Sequence, residues 1–150
     1  MLKGTLIHPD ILRVLGRCGH GSRILIADGN YPFATTLGPN TEMVSLNLSP
    51  GLVSGTDVLK ALVTAIPVEA AAVMQTLKSG PYAMKGDPDI WADYLAILRG
   101  AGYAGELEQI ERFKFYETAA QPNVAMTVAT GEQRIYANLL LTVGVVTPGS

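Results

Sequence analysis

Six residues of this chain have the types and settings that could carry chemistry. His20 sits between Gly19 and Gly21, just ahead of the apolar run Arg23-Ile24-Leu25-Ile26-Ala27. An imidazole ordinarily titrates near roughly 6.5, so it can give or take a proton close to neutral pH. The flanking glycines let the backbone approach a ligand and leave the ring exposed. Asp28 follows the apolar run directly, where a carboxylate can accept two hydroxyls or a histidine N–H. Each has a plainer reading. His20 could be an ordinary surface-turn histidine, and Asp28 could fold back on Gly29-Asn30 as an Asx-turn. Arg112, Tyr116, Tyr136 and Asn138 lie in the C-terminal third near polar turns, and each could hydrogen-bond a hydroxyl-rich ligand. Arg112 could equally pair with Glu111 or Glu117 on the surface, and Tyr136 could be a half-buried structural tyrosine.

Other chemistries lack their residues. No Walker-type loop occurs, and no G-x-G-x-x-G follows a strand, since Gly16, Gly19 and Gly21 precede the run with the wrong spacing. His8, His20 and Cys18 make a poor metal set. Cys18 has no base near it in sequence and reads as a small buried hydrophobe rather than a nucleophile. There is no Gly-x-Ser-x-Gly elbow. The expectation is a protein with no metal and no cofactor.

The elements that must position these residues can be read from pattern. Pro9 suits the first turn of a helix carrying Ile11, Leu12, Val14 and Leu15, ended by Gly16, Gly19 and Gly21. Arg23–Ala27 is a buried strand running into loop residues Asp28–Pro32. Glu42–Leu48 is a second strand, and Ser54 or Thr56 caps a helix running through Leu59, Leu62, Val63 and Ile66. Val68–Met74 is a third strand by its place in the order, and Lys78–Lys85 is a turn-rich excursion. Asp87-Pro88 starts a helix through Ile90, Trp91, Tyr94, Leu95 and Leu98 that stops at Gly100 or Gly102. Glu106–Arg112 is ambiguous, Phe113–Ala120 resembles a short helix, and Val124–Ala129 and Leu139–Val143 are strands. Strands alternating with helices predict an α/β sandwich around a largely parallel sheet, with ligands at the carboxyl ends of strands. Asp28 and Thr130-Gly131-Glu132 occupy such positions.

Composition sets the outer limits. At 150 residues with no linker, repeat or low-complexity tract, the chain reads as one domain spanning 1–150. A net charge of −2 gives no reason to bind nucleic acid or an anionic membrane. No apolar run approaches the roughly 18 residues of a membrane span. Charged residues make up 16% against an average of about 25%, and apolar residues reach 48%. A domain this small cannot hide so much apolar surface alone, so self-association is expected. One cysteine allows no internal disulfide, and no signal peptide is evident, so the reading is cytoplasmic.

Three blocks together resemble a known family. Leu15-Gly16-Arg17-Cys18-Gly19-His20-Gly21-Ser22, followed by the strand and Asp28, is similar to the opening of ribose pyranases and fucose mutarotases. Arg112-Phe113-Lys114-Phe115-Tyr116-Glu117 resembles the R-F-x-F-Y-E of the fucose branch. Thr130-Gly131-Glu132, then Tyr136-Ala137-Asn138, resembles the family's closing T-G-E-x-x-x-Y-A/G-N signature. The resemblance implies a single-domain, three-layer α/β/α sandwich, Rossmann-like, assembled as a decamer of two pentameric rings with sites close to subunit contacts. It implies a proton-donating role for His20 and sugar-binding roles for Asp28, Arg112, Tyr136 and Asn138, with Tyr116 as a further contact. Two positions depart from the usual pattern: Asn30 stands where fucose mutarotases usually carry histidine, and Ser22 where many members carry aspartate.

The implied reaction fits the residues. Opening a cyclic aldose needs a proton delivered to the ring oxygen and one removed from the anomeric hydroxyl. General acid–base catalysis contributes about 10²–10⁴-fold. In this reading His20 transfers the proton, and Asp28 orients it or binds a hydroxyl. The rivals are a non-catalytic sugar-binding accessory of a transport system and a purely structural oligomer.

Overall fold

The computed structural model describes residues 1–149, and it shows why the alternating apolar pattern matters. Six strands form one sheet: β1 (Arg23–Ala27), β2 (Glu42–Ser45), β3 (Val68–Met74), β4 (Leu107–Ile110), β5 (Val124–Ala129) and β6 (Leu139–Val143). Their order across the sheet is β2-β5-β1-β6-β3-β4. The pairs β1/β5, β2/β5 and β3/β4 are parallel. β6 lies in the middle and runs antiparallel to both β1 and β3. The single-domain, largely parallel α/β reading therefore holds, with one reversed central strand.

Side chains alternate between the two faces of the sheet, as the strand period of two requires. Ile24, Ile26, Val73, Met126, Val128, Leu139 and Leu141 point to one side, where α1 (Pro9–Leu15), α2 (Gly55–Leu62) and α3 (Asp89–Gly100) cover them. Leu25, Ala27, Ala72, Met74 and Leu140 point to the other, joined by Val124 where an irregularity at the start of β5 shifts the register, and there α4 (Arg112–Ala119) packs through Phe115 and Ala119. Full burial of one such aliphatic side chain contributes roughly 1.5–3 kcal/mol. The three layers are thus unequal, with three helices against one.

The helix starts follow local chemistry. His8 caps α1, its ring accepting from the Ile11 N–H at 3.4 Å, and Pro9 occupies the first helical position. Ser54 and Asp57 form a reciprocal capping box on α2. That helix ends at Leu62, earlier than the pattern through Ile66 predicts. α3 is capped at Pro88 rather than Asp87. The ambiguous Glu106–Arg112 stretch divides into the edge strand β4 and the start of α4, where the Glu111 carboxylate accepts from the Phe113 and Lys114 amides.

Gly131 explains the middle of the T-G-E signature. Its N–H donates to the Val53 carbonyl at 2.9 Å, and its own carbonyl accepts from Gly51 N–H at 2.6 Å. An added methyl group would overlap the carbonyl oxygens of Ser49 and Leu52. Gly131→Ala should therefore destabilise the fold by about 1–3 kcal/mol. Thermal unfolding monitored by circular dichroism should show a midpoint lowered by several degrees, and an unchanged midpoint would remove this account of the signature.

Candidate active site

At the carboxyl end of β1 the chain closes a reciprocal pair of hydrogen bonds with the start of β6. The Asp28 amide donates to Asn138 Oδ1 at 2.9 Å, and Asn138 Nδ2 donates to Asp28 Oδ2 at 2.9 Å. The second carboxylate oxygen, Oδ1, accepts from the Asn30 amide at 3.0 Å, so the Asx-turn forms as well. Burial pushes the Asp28 carboxyl up, and the surrounding amides oppose that shift.

The other half of the clamp is held from behind. Tyr136 has φ of 60°, a left-handed conformation that costs a non-glycine residue about 1–3 kcal/mol. Two aromatic residues of α3 hold it there. Trp91 Nε1 donates to the Tyr136 carbonyl at 2.8 Å, and the Tyr94 hydroxyl donates to the Ala137 carbonyl at 2.8 Å. Burial raises the Tyr94 phenol far above its ordinary range, so it stays a donor. Gly55 leaves the room that the Tyr94 hydroxyl occupies. Glu132 fastens the same loop to α2 and α3: its carboxylate accepts from the Gly55 amide at 3.1 Å and from Arg134, which also reaches Asp93 at 2.9 Å. The Arg134 guanidinium holds Glu132 down at about 2.

In front of the clamp lies an open cavity of about 310 Å³, at the small end of the roughly 300–1,000 Å³ typical of ligand pockets. Asp28, Asn30, Arg112, Tyr116 and Asn138 supply its polar lining. Arg112 makes no ion pair among the described residues; neither Glu111 nor Glu117 takes it. Its guanidinium carbon instead lies 5.8 Å from the Tyr116 ring centre, and the Tyr116 hydroxyl pushes its pKa up. Tyr31 packs against Tyr116 at 5.6 Å between ring centres, and its buried hydroxyl has no hydrogen-bond partner.

Tyr136 serves differently from the rest. Its hydroxyl donates to the Tyr82 carbonyl at 2.6 Å and accepts from the Leu77 amide at 3.2 Å. It thereby straps the 75–88 excursion over the cavity and keeps one lone pair for a ligand.

Five of the six expected residues, Asp28, Arg112, Tyr116, Tyr136 and Asn138, line this one cavity. His20 does not. It lies beyond the opposite end of β1, whose five residues alone span about 16 Å. Within one chain Asp28 therefore cannot orient it. His20 instead bonds Glu69 at the start of β3, Nε2 to Oε2 at 2.8 Å, with 61% of its side chain exposed. Tyr31, Tyr82, Trp91 and Tyr94 are contributors that local pattern did not single out, and neither did it single out Glu69, the partner of His20. Trp91 and Tyr94 read as helix core, and Glu69 as one residue of a strand. Only the nearness of Tyr31 to Asp28 marked it at all.

A cavity of this size, set at the carboxyl edge of an α/β/α sheet and lined on one side by a carboxylate, a carboxamide and a guanidinium, has the donors and acceptors that a small hydroxyl-bearing ligand requires. The chain belongs to the RbsD / FucU transport protein family, whose model matches residues 1–146. It is 40% identical over 149 residues to the fucose mutarotase of Homo sapiens, covering 96% of this chain and 94% of that one. It is 34% identical to the fucose mutarotase of Danio rerio, covering 99% and 96%. The fucose mutarotase of Streptococcus pneumoniae, solved in complex with L-fucose, superposes with a TM-score of 0.79 at 28% identity, covering 94% and 95%. No helix among the described residues is long and apolar enough to cross a membrane. No group of three or more His, Cys, Asp or Glu among them is disposed to hold a metal.

The two buried carboxylates act on stability with opposite sign. Glu132, held at about 2 against its usual 4.5, contributes stability that is full above 4.5 and lost as pH falls towards 2. Asp28, shifted up, contributes in the other direction: its share is full below 3.8 and lost as pH rises through its folded value. Glu132→Gln should unfold at lower urea than wild type at pH 6, with the gap narrowing between about pH 4.5 and 2. A gap that stays constant across that window would show that the charge of Glu132 does not set it.

Proposed function

We propose that this chain is a monosaccharide mutarotase that interconverts the anomers of a free aldose, with L-fucose or a close relative as substrate. The observation that carries the reading is the fixed Asp28–Asn138 clamp facing the unpaired Arg112 across a sugar-sized cavity. Carboxylate, carboxamide and guanidinium together offer the acceptors and donors that several ring hydroxyls need. Relatives named fucose mutarotase, and the structure of one with L-fucose, support the same choice.

The reaction needs one proton delivered to the ring oxygen as the bond from that oxygen to the anomeric carbon breaks. It needs another removed from the anomeric hydroxyl, which becomes the aldehyde oxygen. Rotation about the bond from the aldehyde carbon to C2 and reclosure on the other face reverse both transfers. Pyranose–furanose exchange passes through the same open chain. Asp28, Asn138 and Arg112 hold hydroxyls, with Tyr116 beside them and Tyr136 fixing the loop.

The proton donor in this reading is His20 of a second copy of the chain, oriented by its Glu69. A homo-oligomer is supported by the thin α4 layer and by exposed apolar side chains such as Leu48 (83%) and Phe113 (69%). The assembly is a decamer of two pentameric rings in the cytoplasm, working with no metal or cofactor.

Magnetisation-exchange NMR with L-fucose, D-ribose and galactose tests the activity. At least one should exchange faster with catalytic amounts of protein; binding without faster exchange would mark a non-catalytic sugar-binding protein instead. His20→Ala should slow exchange by about 10²-fold or more while leaving the thermal midpoint unchanged. Coexpressed His20→Ala and Asp28→Asn chains should regain part of the lost exchange, because a mixed oligomer contains some intact sites. Absence of recovery in oligomers shown to be mixed would count against a shared site.

A further inference from the structure

The cavity has a second side that the reaction does not use. Asp28 and Asn138 mark its polar centre at the ends of β1 and β6. Next across the sheet comes β3, ending in Met74, followed by Leu77 and the strapped excursion that carries Tyr82. Met74, Leu77 and Tyr82 line the same cavity as the clamp. From β1 to β3 is two inter-strand steps, about 10 Å.

Tyr82 is 64% exposed, yet its backbone is not loose. Its carbonyl is fixed by the Tyr136 hydroxyl at 2.6 Å. The neighbouring turns close through Ala83 N–H to the Gly80 carbonyl at 3.2 Å and Met84 N–H to the Leu77 carbonyl at 3.0 Å. An exposed ring on an anchored strap at a cavity mouth is a preorganised apolar contact. A sugar has apolar parts of its own: the C–H face of its ring and, in a 6-deoxy sugar, a methyl group.

Resting on the mutarotase reading above, we propose that Tyr82 determines specificity. Its ring, with Met74 and Leu77, forms a subsite for the apolar end of a 6-deoxyhexose, while Asp28, Asn138 and Arg112 hold the hydroxyl-bearing end. A hydroxymethyl group placed against Met74, Leu77 and the face of the Tyr82 ring would give up part of its hydration to side-chain surfaces that offer it no hydrogen bond, whereas a methyl group loses nothing there.

L-fucose and L-galactose test this cleanly, since they differ only by the hydroxyl on C6. Exchange NMR on wild type should favour L-fucose in kcat/KM by about tenfold or more. Tyr82→Phe should keep that preference, because the ring and not its hydroxyl makes the contact. Tyr82→Ala should raise KM for L-fucose about fivefold or more with kcat nearly unchanged, and should cut the preference by a similar factor. Calorimetric titration of both sugars into wild type and Tyr82→Ala reads the subsite independently of catalysis. Should no exchange occur but Tyr82→Ala still lose affinity for L-fucose, the subsite stands and the catalytic reading falls. Equal KM, affinity and preference in Tyr82→Ala and wild type, or no binding of L-fucose to wild type, would overturn the proposal.

Discussion

Two hydrogen bonds between Asp28 and Asn138 set the geometry on which the site depends. They join residues 110 positions apart and fix the exit of one central strand against the entry of its neighbour. A backbone amide and a carboxylate bind the two ends of one carboxamide, so Asn138 cannot turn without breaking both contacts, and the Asp28 carboxylate is held a second time by the Asn30 amide. The rest of the edge is arranged to keep this pair in place. The left-handed turn at Tyr136 aims Asn138, and α3 offsets its cost with two aromatic donors. The packing of α3 against the sheet is in this sense part of the binding site.

Much of the fold was legible in the sequence because burial on both faces leaves continuous apolar runs bounded by turns. Arg23–Ala27, Val68–Met74, Val124–Ala129 and Leu139–Val143 have the observed bounds for that reason. The direction of β6 was not legible, since no local pattern tells a parallel strand from an antiparallel one inside a buried sheet. β4 was ambiguous because Leu107-Glu108-Gln109-Ile110 is a half-exposed edge strand with no strong alternation. Pattern could offer α2 no stop signal at Leu62, because Val63 and Ile66 remain apolar and pack against the core outside the helix.

The site was legible in part, and unevenly. Loops at strand ends pointed to Asp28, and the resemblance pointed to Arg112, Tyr116, Tyr136 and Asn138. These five line one cavity. The same reasoning put His20 beside Asp28 in sequence, eight residues away, but a strand lies between them and turns that proximity into separation. Tyr136 was picked for its hydroxyl, yet its hydroxyl serves mainly the strap and its carbonyl the clamp. Tyr82 carried no signal at all, for it sits in a turn-rich stretch whose importance comes only from what lies beneath it.

The reversed strand has a consequence for how the molecule is made. β6 is the last of the six described strands in sequence yet lies inside the sheet, joining the group β2-β5-β1 to the pair β3-β4. A polypeptide emerging from a ribosome has all its helices before it has that strand. Until residues 139–143 arrive, it holds two fragments of sheet, each with an open inner edge able to pair with other chains. Formation of the native sheet therefore waits until residues 139–143 have been made and rests on contacts distant in sequence, the kind that form slowly. The ligand-facing carboxamide sits at the threshold of this closing strand, so a nascent chain that has not yet reached it cannot own a working pocket.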